Sequence, residues 1–250
     1  MRVPRLLRNH KAAERWARSG DWSTRALAAA LEGTELRVKQ SESQHFMYTA
    51  VGREGEILSD SAAAGASSSS VPMAAGEFFR AVEGVPPPFL YFTEPLSSLS
   101  MEHRAVGWRE LAPCTEQRAD GEPARPPWAQ LWVGSAGATT QAHYDVADNL
   151  FVQTAGRKEF LLYEPSVAAA LHVFPDAHPR ARKAQLRVEA PDLRLHPHAA
   201  RLPPPRRVVL EPGDALLIPC FCFHHVTALT PSTSVDRDHD SHRISASFDL

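Results

Sequence analysis

The rhythm of the chain after residue 86 constrains its fold more than any other feature. Short apolar runs follow one another, and each ends within a few residues at a turn signal. Phe89 to Phe92, Trp128 to Gly134, Thr139 to Tyr144, Asn149 to Thr154 and Glu159 to Tyr163 read as strands. So do Arg207 to Leu210, Ala215 to Ile218, His224 to Leu229 and Ile244 to Leu250. Gly134, Ala155–Gly156 and Glu211–Pro212–Gly213–Asp214 separate them, and Pro212 with Gly213 suits the two central positions of a type II turn. Twenty-one prolines favour turns and strand ends over long helices. Many short strands predict a mainly β sandwich or barrel such as a double-sheet jelly roll.

The first 85 residues have a different texture and are expected to form an N-terminal α/β extension packed on the barrel of residues 86–250. Residues 1–20 carry Arg2, Arg5, Arg8, Lys11, Arg15 and Arg18 against one acid, Glu14. Their spacing places most of them on one helix face, read as a solvated face, with an RNA-contacting or targeting segment as the alternative. Asp21 or Ser23 can cap a helix through Leu27 and Leu31 that Gly33 ends. Glu35 to Val38 and Phe46 to Val51 read as strands, and Met73 to Val82 as a short helix. Ser61 to Ser70 holds only Ala, Gly and Ser and reads as a flexible loop. Residues 166–206 form a long insertion, basic at Arg180, Arg182, Lys183 and Arg187.

Composition narrows the function classes. The charge sum of 27 − 29 = −2 gives no global basic surplus for nucleic-acid binding, although a local patch remains open. No apolar run approaches the roughly 20 residues of a membrane span, so no membrane partner is expected. Cys114, Cys220 and Cys222 read as reduced thiols of an intracellular protein, cytoplasmic or nuclear, with organelle targeting open. No second pair joins Cys220-x-Cys222 to complete a zinc site, and small buried apolar roles are expected for these residues. Met1 to Gly20 has no apolar core of a secretory signal.

The chemistry concentrates at Thr139-Thr140-Gln141-Ala142-His143-Tyr144-Asp145. On a strand, His143 and Asp145 share a face about 6.6 Å apart. Far downstream, Pro219-Cys220-Phe221-Cys222-Phe223-His224-His225 supplies another histidine at a strand start. Two histidines and a carboxylate form the facial triad of non-haem Fe(II) oxygenases, which leaves positions open for a chelating cosubstrate and O₂. Lys158 opens the strand after the Gly156 turn, where an ammonium among apolar residues calls for an anion. Thr140 can donate a hydroxyl hydrogen bond to that anion, and Asn149 can reach either the cosubstrate or a metal ligand. Taken singly, Lys158 can be a strand-end lysine and Thr140 an ordinary strand residue. Asp236-Arg237-Asp238-His239-Asp240-Ser241-His242 has metal-binding composition but lacks the glycine and distal glutamate of a calcium loop, and reads as a solvated hairpin loop.

The run His143-Tyr144-Asp145-Val146-Ala147-Asp148-Asn149-Leu150-Phe151-Val152-Gln153, with Gly156-Arg157-Lys158 and Tyr163-Glu164-Pro165, resembles the JmjC (cupin-like) 2-oxoglutarate oxygenases. Gly213-Asp214-Ala215-Leu216-Leu217-Ile218-Pro219, with His224 fifth after the proline, fits the same family. The resemblance covers about residues 86–250. It implies a double-stranded β-helix and Fe(II) held by His143, Asp145 and His224. It also implies 2-oxoglutarate anchored by Lys158 and Thr140, with Asn149 and Tyr91 at cosubstrate-pocket positions. O₂ would be the cosubstrate, and hydroxylation the reaction. The proline spacing selects His224 over His225. Cys222 stands where the family usually has an aromatic, which implies a wider or oxidisable pocket. No C-terminal helices of the kind that pair family members follow the last predicted strand, which puts homodimerisation in doubt and leaves the oligomeric state open, a monomer included.

Within the family the likeness is nearest to members that hydroxylate a modified tRNA base, with the asparaginyl hydroxylases more distant. A tRNA base is therefore the first expectation for the substrate. A JmjC-type protein side-chain hydroxylase or demethylase is the second. A non-catalytic cupin-like binding protein is the third, and loss of a ligand or of the lysine would have marked it.

Overall fold

Strands dominate the protein, seen in a computed structural model that describes residues 3–46, 50–51, 57–58, 69–101, 104, 129–178 and 180–238. The N-terminal part forms β1 (Arg5–Leu7), α1 (Lys11–Ser19), α2 (Thr24–Ala30), β2 (Glu35–Ser41), β3 (His45–Phe46), β4 (Ala50–Val51), β5 (Ile57–Leu58), β6 (Ser69–Ala74) and α3 (Ala75–Ala81). There follow β7 (Phe89–Pro95), β8 (Ala129–Gly134), β9 (Thr139–His143), β10 (Asn149–Ala155), β11 (Lys158–Tyr163), β12 (Arg206–Leu210), β13 (Ala215–Ile218), β14 (Phe223–Ala228) and β15 (Ser232–Asp238). One sheet runs β1-β13-β10-β15-β8-β7-β2-β6, and a second runs β12-β11-β14-β9-β3. Every pairing in them is antiparallel except β3 with β9. This is a mainly β jelly roll.

Strand alternation sorts the side chains into compartments. Leu131 and Val133 of β8, Leu150 and Val152 of β10 and Val235 of β15 pack with Trp16, Trp22, Leu27 and Phe78 of the helical segment. Their alternates Gln130, Trp132, Asn149, Phe151 and Asp236 turn to the other face and line a cavity between the sheets. Beside the cavity Phe151, Phe160, Leu162, Leu216, Ile218 and Cys222 close the space between the sheets. On the far face of the smaller sheet, Ala142, Tyr163 and Phe223 pack with Leu171 and Ala184 of the long insertion. That insertion carries two 3-10 turns, Pro165–Val167 and Pro197–Arg201.

Local signals behave as their chemistry dictates. Ser23 caps α2 by accepting from the Ala26 amide at 3.2 Å. In the β12–β13 turn the Asp214 amide donates to the Glu211 carbonyl at 3.0 Å, and Gly213 takes φ +95° as a type II turn requires. Cys222 is buried in the apolar layer, where burial raises its thiol above the usual range, and neither it nor Cys220 is in a disulfide. Cys114 lies outside the described residues.

Several expectations need correction. The basic run at 1–20 is not one helix face: Arg5 lies in β1, paired with β13, and Arg8 leaves the strand to pair with the buried Asp214 carboxylate. Only Lys11, Arg15 and Arg18 stand on α1. The sheet edge and the buried carboxylate outweigh the helical spacing. Met73 belongs to β6, and the following helix starts at Ala75. Ser69 and Ser70 likewise begin β6, while residues 61–68 of the expected loop lie outside the described residues. β3 and β4 fall within Phe46 to Val51 or at its edge, and residues 47–49 are outside the description.

The most consequential correction concerns residues 236–238, expected in a solvated loop. They end β15, a strand in the middle of the large sheet between β10 and β8. Its sequence Ser-Thr-Ser-Val-Asp-Arg-Asp carries no apolar stripe. Polar neighbours satisfy it instead: Ser234 Oγ donates to Gln153 Oε1 at 2.9 Å, and Thr154 Oγ1 donates to the Thr233 carbonyl at 2.9 Å. The strand expected at 244–250 and the rest of that histidine-rich run lie outside the described residues.

Candidate metal centre and its cavity

The site depends on a break in strand periodicity. β14 pairs with β9 so that His224 lies opposite His143 and Val226 opposite Thr140. Two residues, Gln141 and Ala142, therefore face the single residue His225. Side chains three apart on a regular strand point to opposite faces. The extra residue reverses that parity, so Thr140 and His143 both reach the cavity. Ala142 turns instead to the apolar layer under the insertion, and the Gln141 side chain donates to the Ala184 carbonyl.

His143, Asp145 and His224 each present one ligand atom, and these atoms lie within 4.8 Å of one another. The two imidazole centroids are 4.1 Å apart, and His224 Nε2 is 3.5 Å from Asp145 Oδ2. Asp145 sits just past the end of β9 rather than on it, yet its carboxylate still reaches the histidines. The Nδ1 atoms contact backbone carbonyls: His143 with Gln141 O at 2.8 Å and His224 with Cys222 O at 3.1 Å. With each Nδ1–H donating to a carbonyl, each Nε2 keeps its lone pair for the cavity. Burial, reinforced by His224, pulls the His143 imidazole down to about 3 and keeps it neutral. Burial works against ionisation of Asp145, but the two histidines and the Asn149 amide outweigh it and hold its carboxyl below the usual range. Neutral imidazoles and an ionised carboxylate are the forms that bind a divalent metal.

The other half of the cavity holds a buried cation. Lys158 opens β11, is 4% exposed, and burial pulls it down to about 7, with Asp236 acting in the opposite direction. Its Nζ lies 5.0 Å from the centre of the Phe151 ring. Asn149 Nδ2 donates to Asp236 Oδ2 at 3.0 Å, while Asn149 Oδ1 and the Trp132 indole Nε1 are buried with no partner among the described residues. The cavity measures about 320 Å³, and Tyr91 and Thr140 line it as well. A buried ammonium that Asp236 only partly offsets, an orphaned acceptor and an orphaned donor in an apolar chamber fit a polar, anionic guest.

All seven residues singled out in the sequence, His143, Asp145, His224, Thr140, Lys158, Asn149 and Tyr91, line this one cavity. His225 does not: it turns to the far face, where its Nε2 is 2.9 Å from Glu189 Oε1. Asp236, Gln130 and Trp132 also line the cavity and were missed. For Asp236 the one available signal was Val235, whose apolar side chain between polar neighbours marks a strand alternation.

The profile of the cupin-like domain family matches residues 2–242. Over 99 residues the chain is 38% identical to tRNA wybutosine-synthesizing protein 5 of Danio rerio, covering 39% of this chain and 28% of that protein. Over 97 residues it is 33% identical to Lysine-specific demethylase JMJ31 of Arabidopsis thaliana, covering 38% of this chain and 18% of that one. Lysine-specific demethylase 8 of Xenopus tropicalis is 32% identical over 104 residues, 42% of this chain and 23% of its own length. The matched stretch thus spans under a third of each of these relatives. The jelly roll, the His–Asp–His cluster within it and the match across nearly the whole chain lead to one conclusion: the chain belongs to the cupin-like domain family, of the JmjC type.

Proposed function

We propose that the protein is an Fe(II)- and 2-oxoglutarate-dependent hydroxylase acting on a modified base of tRNA. The observation that carries the reading is the pairing of a His–Asp–His cluster with a buried lysine in one cavity. His143, Asp145 and His224 would hold the metal through two Nε2 atoms and a carboxylate oxygen. The bound Fe(II) supplies, with O₂ and 2-oxoglutarate, the oxidising power for hydroxylation.

The protein's own residues bind, orient and keep water out. Lys158 receives the far carboxylate of 2-oxoglutarate, and that charge restores the ammonium which burial weakens. Thr140 adds a hydroxyl donor. Asn149 and Tyr91 flank the same guest, and the Trp132 indole offers a further donor. Phe151, Phe160, Ile218 and Val226 make the walls apolar, so these contacts act at low dielectric. The Gln141 and Cys222 carbonyls hold the two imidazoles in the orientation a metal needs.

The relatives named for tRNA wybutosine synthesis support a tRNA base as substrate. Those named lysine-specific demethylases support the second reading, a protein side chain. A binding protein without turnover is the least supported reading, because both histidines, the carboxylate and the lysine are all present. Under anaerobic conditions Fe(II) plus 2-oxoglutarate should give a weak visible charge-transfer band, and its absence would end the hydroxylase reading. Succinate release screened against tRNA, histone and ribosomal-protein fractions then decides the substrate, and release with a protein fraction alone would replace the tRNA assignment.

A further inference from the structure

Two residues beside the metal cluster hold a backbone conformation that side chains rarely adopt. Phe221 has φ +64° and Arg182 has φ +69°. Both are tied to the same short segment: the Phe221 amide donates to the Asp145 carbonyl at 2.8 Å, and the Tyr144 amide donates to the Arg182 carbonyl at 3.2 Å. The His143–Tyr144–Asp145 stretch is thus flanked by the β13–β14 connection and by the long insertion. A left-handed conformation at a bulky residue persists only where the surroundings over-determine it, and such outliers gather at functional sites.

The two flanks carry complementary chemistry. Phe221 is 48% exposed. Its ring lies 5.7 Å from that of Tyr144, which meets the buried Phe223 edge-on at 5.2 Å. Three rings therefore run from the core to an open aromatic face. On the other flank, residues 180–187 contain four basic residues and no acid. Lys183 bridges by its backbone to His143, and the Arg182 charge acts on Asp145. Burial and the charges of Lys39, Arg180 and Arg182 pull Lys183 down to about 8, so these cations crowd one region.

An exposed ring and clustered cations on the two flanks of one short segment suit single-stranded nucleic acid: bases stack on the ring and phosphates meet the cations. A lysine- and arginine-rich peptide would meet like charge here. We propose that Phe221, backed by Tyr144, stacks a base of a single-stranded RNA segment while Arg182 and Lys183 hold its phosphates. This rests on the hydroxylase reading for its catalytic meaning and deepens it by naming the residues that hold the RNA.

The test uses the full chain and a fluorescein-labelled RNA hairpin with a purine-rich loop, followed by anisotropy. Phe221→Ala should weaken binding roughly 5- to 150-fold, the worth of one stacked base, and Phe221→Trp should keep it. Arg182→Gln and Lys183→Gln should each weaken binding and flatten the slope of log affinity against log salt by about 0.7. Wild-type affinity in Phe221→Ala, or an equal loss on a blunt duplex without a loop, would overturn the stacking role. Tighter binding of an acidic peptide than of the hairpin would hand the surface to a protein and overturn the proposal. The Fe(II)–2-oxoglutarate band, read on the same samples, separates the two readings. RNA loss in the variants with no band in the wild type sustains this surface and ends the hydroxylase reading. A band with unchanged RNA binding does the reverse.

Discussion

Replacing Lys158 with methionine separates what this residue does for binding from what it does to stability. Burial brings its ammonium to about 7, from 10.5 in water. At pH 7 the lysine of the unfolded chain is fully protonated, while the folded one is about half so. Linkage turns that difference into about 4 kcal/mol of destabilisation. The sign follows from proton counting. Between about pH 7 and 10.5 the unfolded chain binds more protons, so the penalty is largest below pH 7 and fades as pH rises. Methionine fills a similar volume with nothing to desolvate, and Asn149 still donates to Asp236. Lys158→Met should therefore be more stable than the parent by about 4 kcal/mol at pH 7, narrowing to about 1 kcal/mol near pH 9.5. Urea unfolding of both proteins at the two pH values measures the gap. The same variant should lose 2-oxoglutarate affinity roughly 10- to 150-fold, the worth of a charge-assisted hydrogen bond. A variant no more stable than its parent at pH 7, or a gap that stays flat with pH, would refute the idea of a desolvated ammonium. Unchanged 2-oxoglutarate affinity would reassign Lys158 to a structural role.

Other perturbations test the rest of the site. Asp145→Ala removes the carboxylate of the cluster and should abolish iron-dependent turnover; Fe(II) titration with unchanged affinity and activity would remove the assignment. His224→Ala should cost metal binding, whereas His225→Ala should keep most of it while upsetting the contact with Glu189; a metal bound through residue 225 would reverse the two. Gly156→Ala should destabilise by about 3 kcal/mol or more, because a Cβ there would lie 2.0 Å from the Pro231 carbonyl oxygen at φ +66°. An unchanged thermal midpoint in that variant would show that the β10–β11 turn yields freely.

The sequence by itself determined the β architecture, the turn at Pro212–Gly213 and the identity of the cluster. Those features are written locally. Strand runs alternate over a few residues, turns demand particular residues at particular positions, and histidines spaced with a carboxylate are chemically distinctive. That only one of His224 and His225 can face the cavity was also legible, because neighbours on a strand point to opposite faces; the proline spacing named His224, and that residue lines the cavity. Tertiary structure alone decided the rest. Thr140 shares a face with His143 only because β14 imposes an extra residue on β9, and a bulge is a property of a pair of strands. The polar strand Ser232–Asp238 lies mid-sheet because Gln153, Thr154 and Asn149, some eighty residues earlier, satisfy it. Arg8 leaves its expected helix face because Asp214, buried by the far end of the chain, supplies its partner. Each of these outcomes depends on groups brought together across long loops, and no window of neighbouring residues contains them.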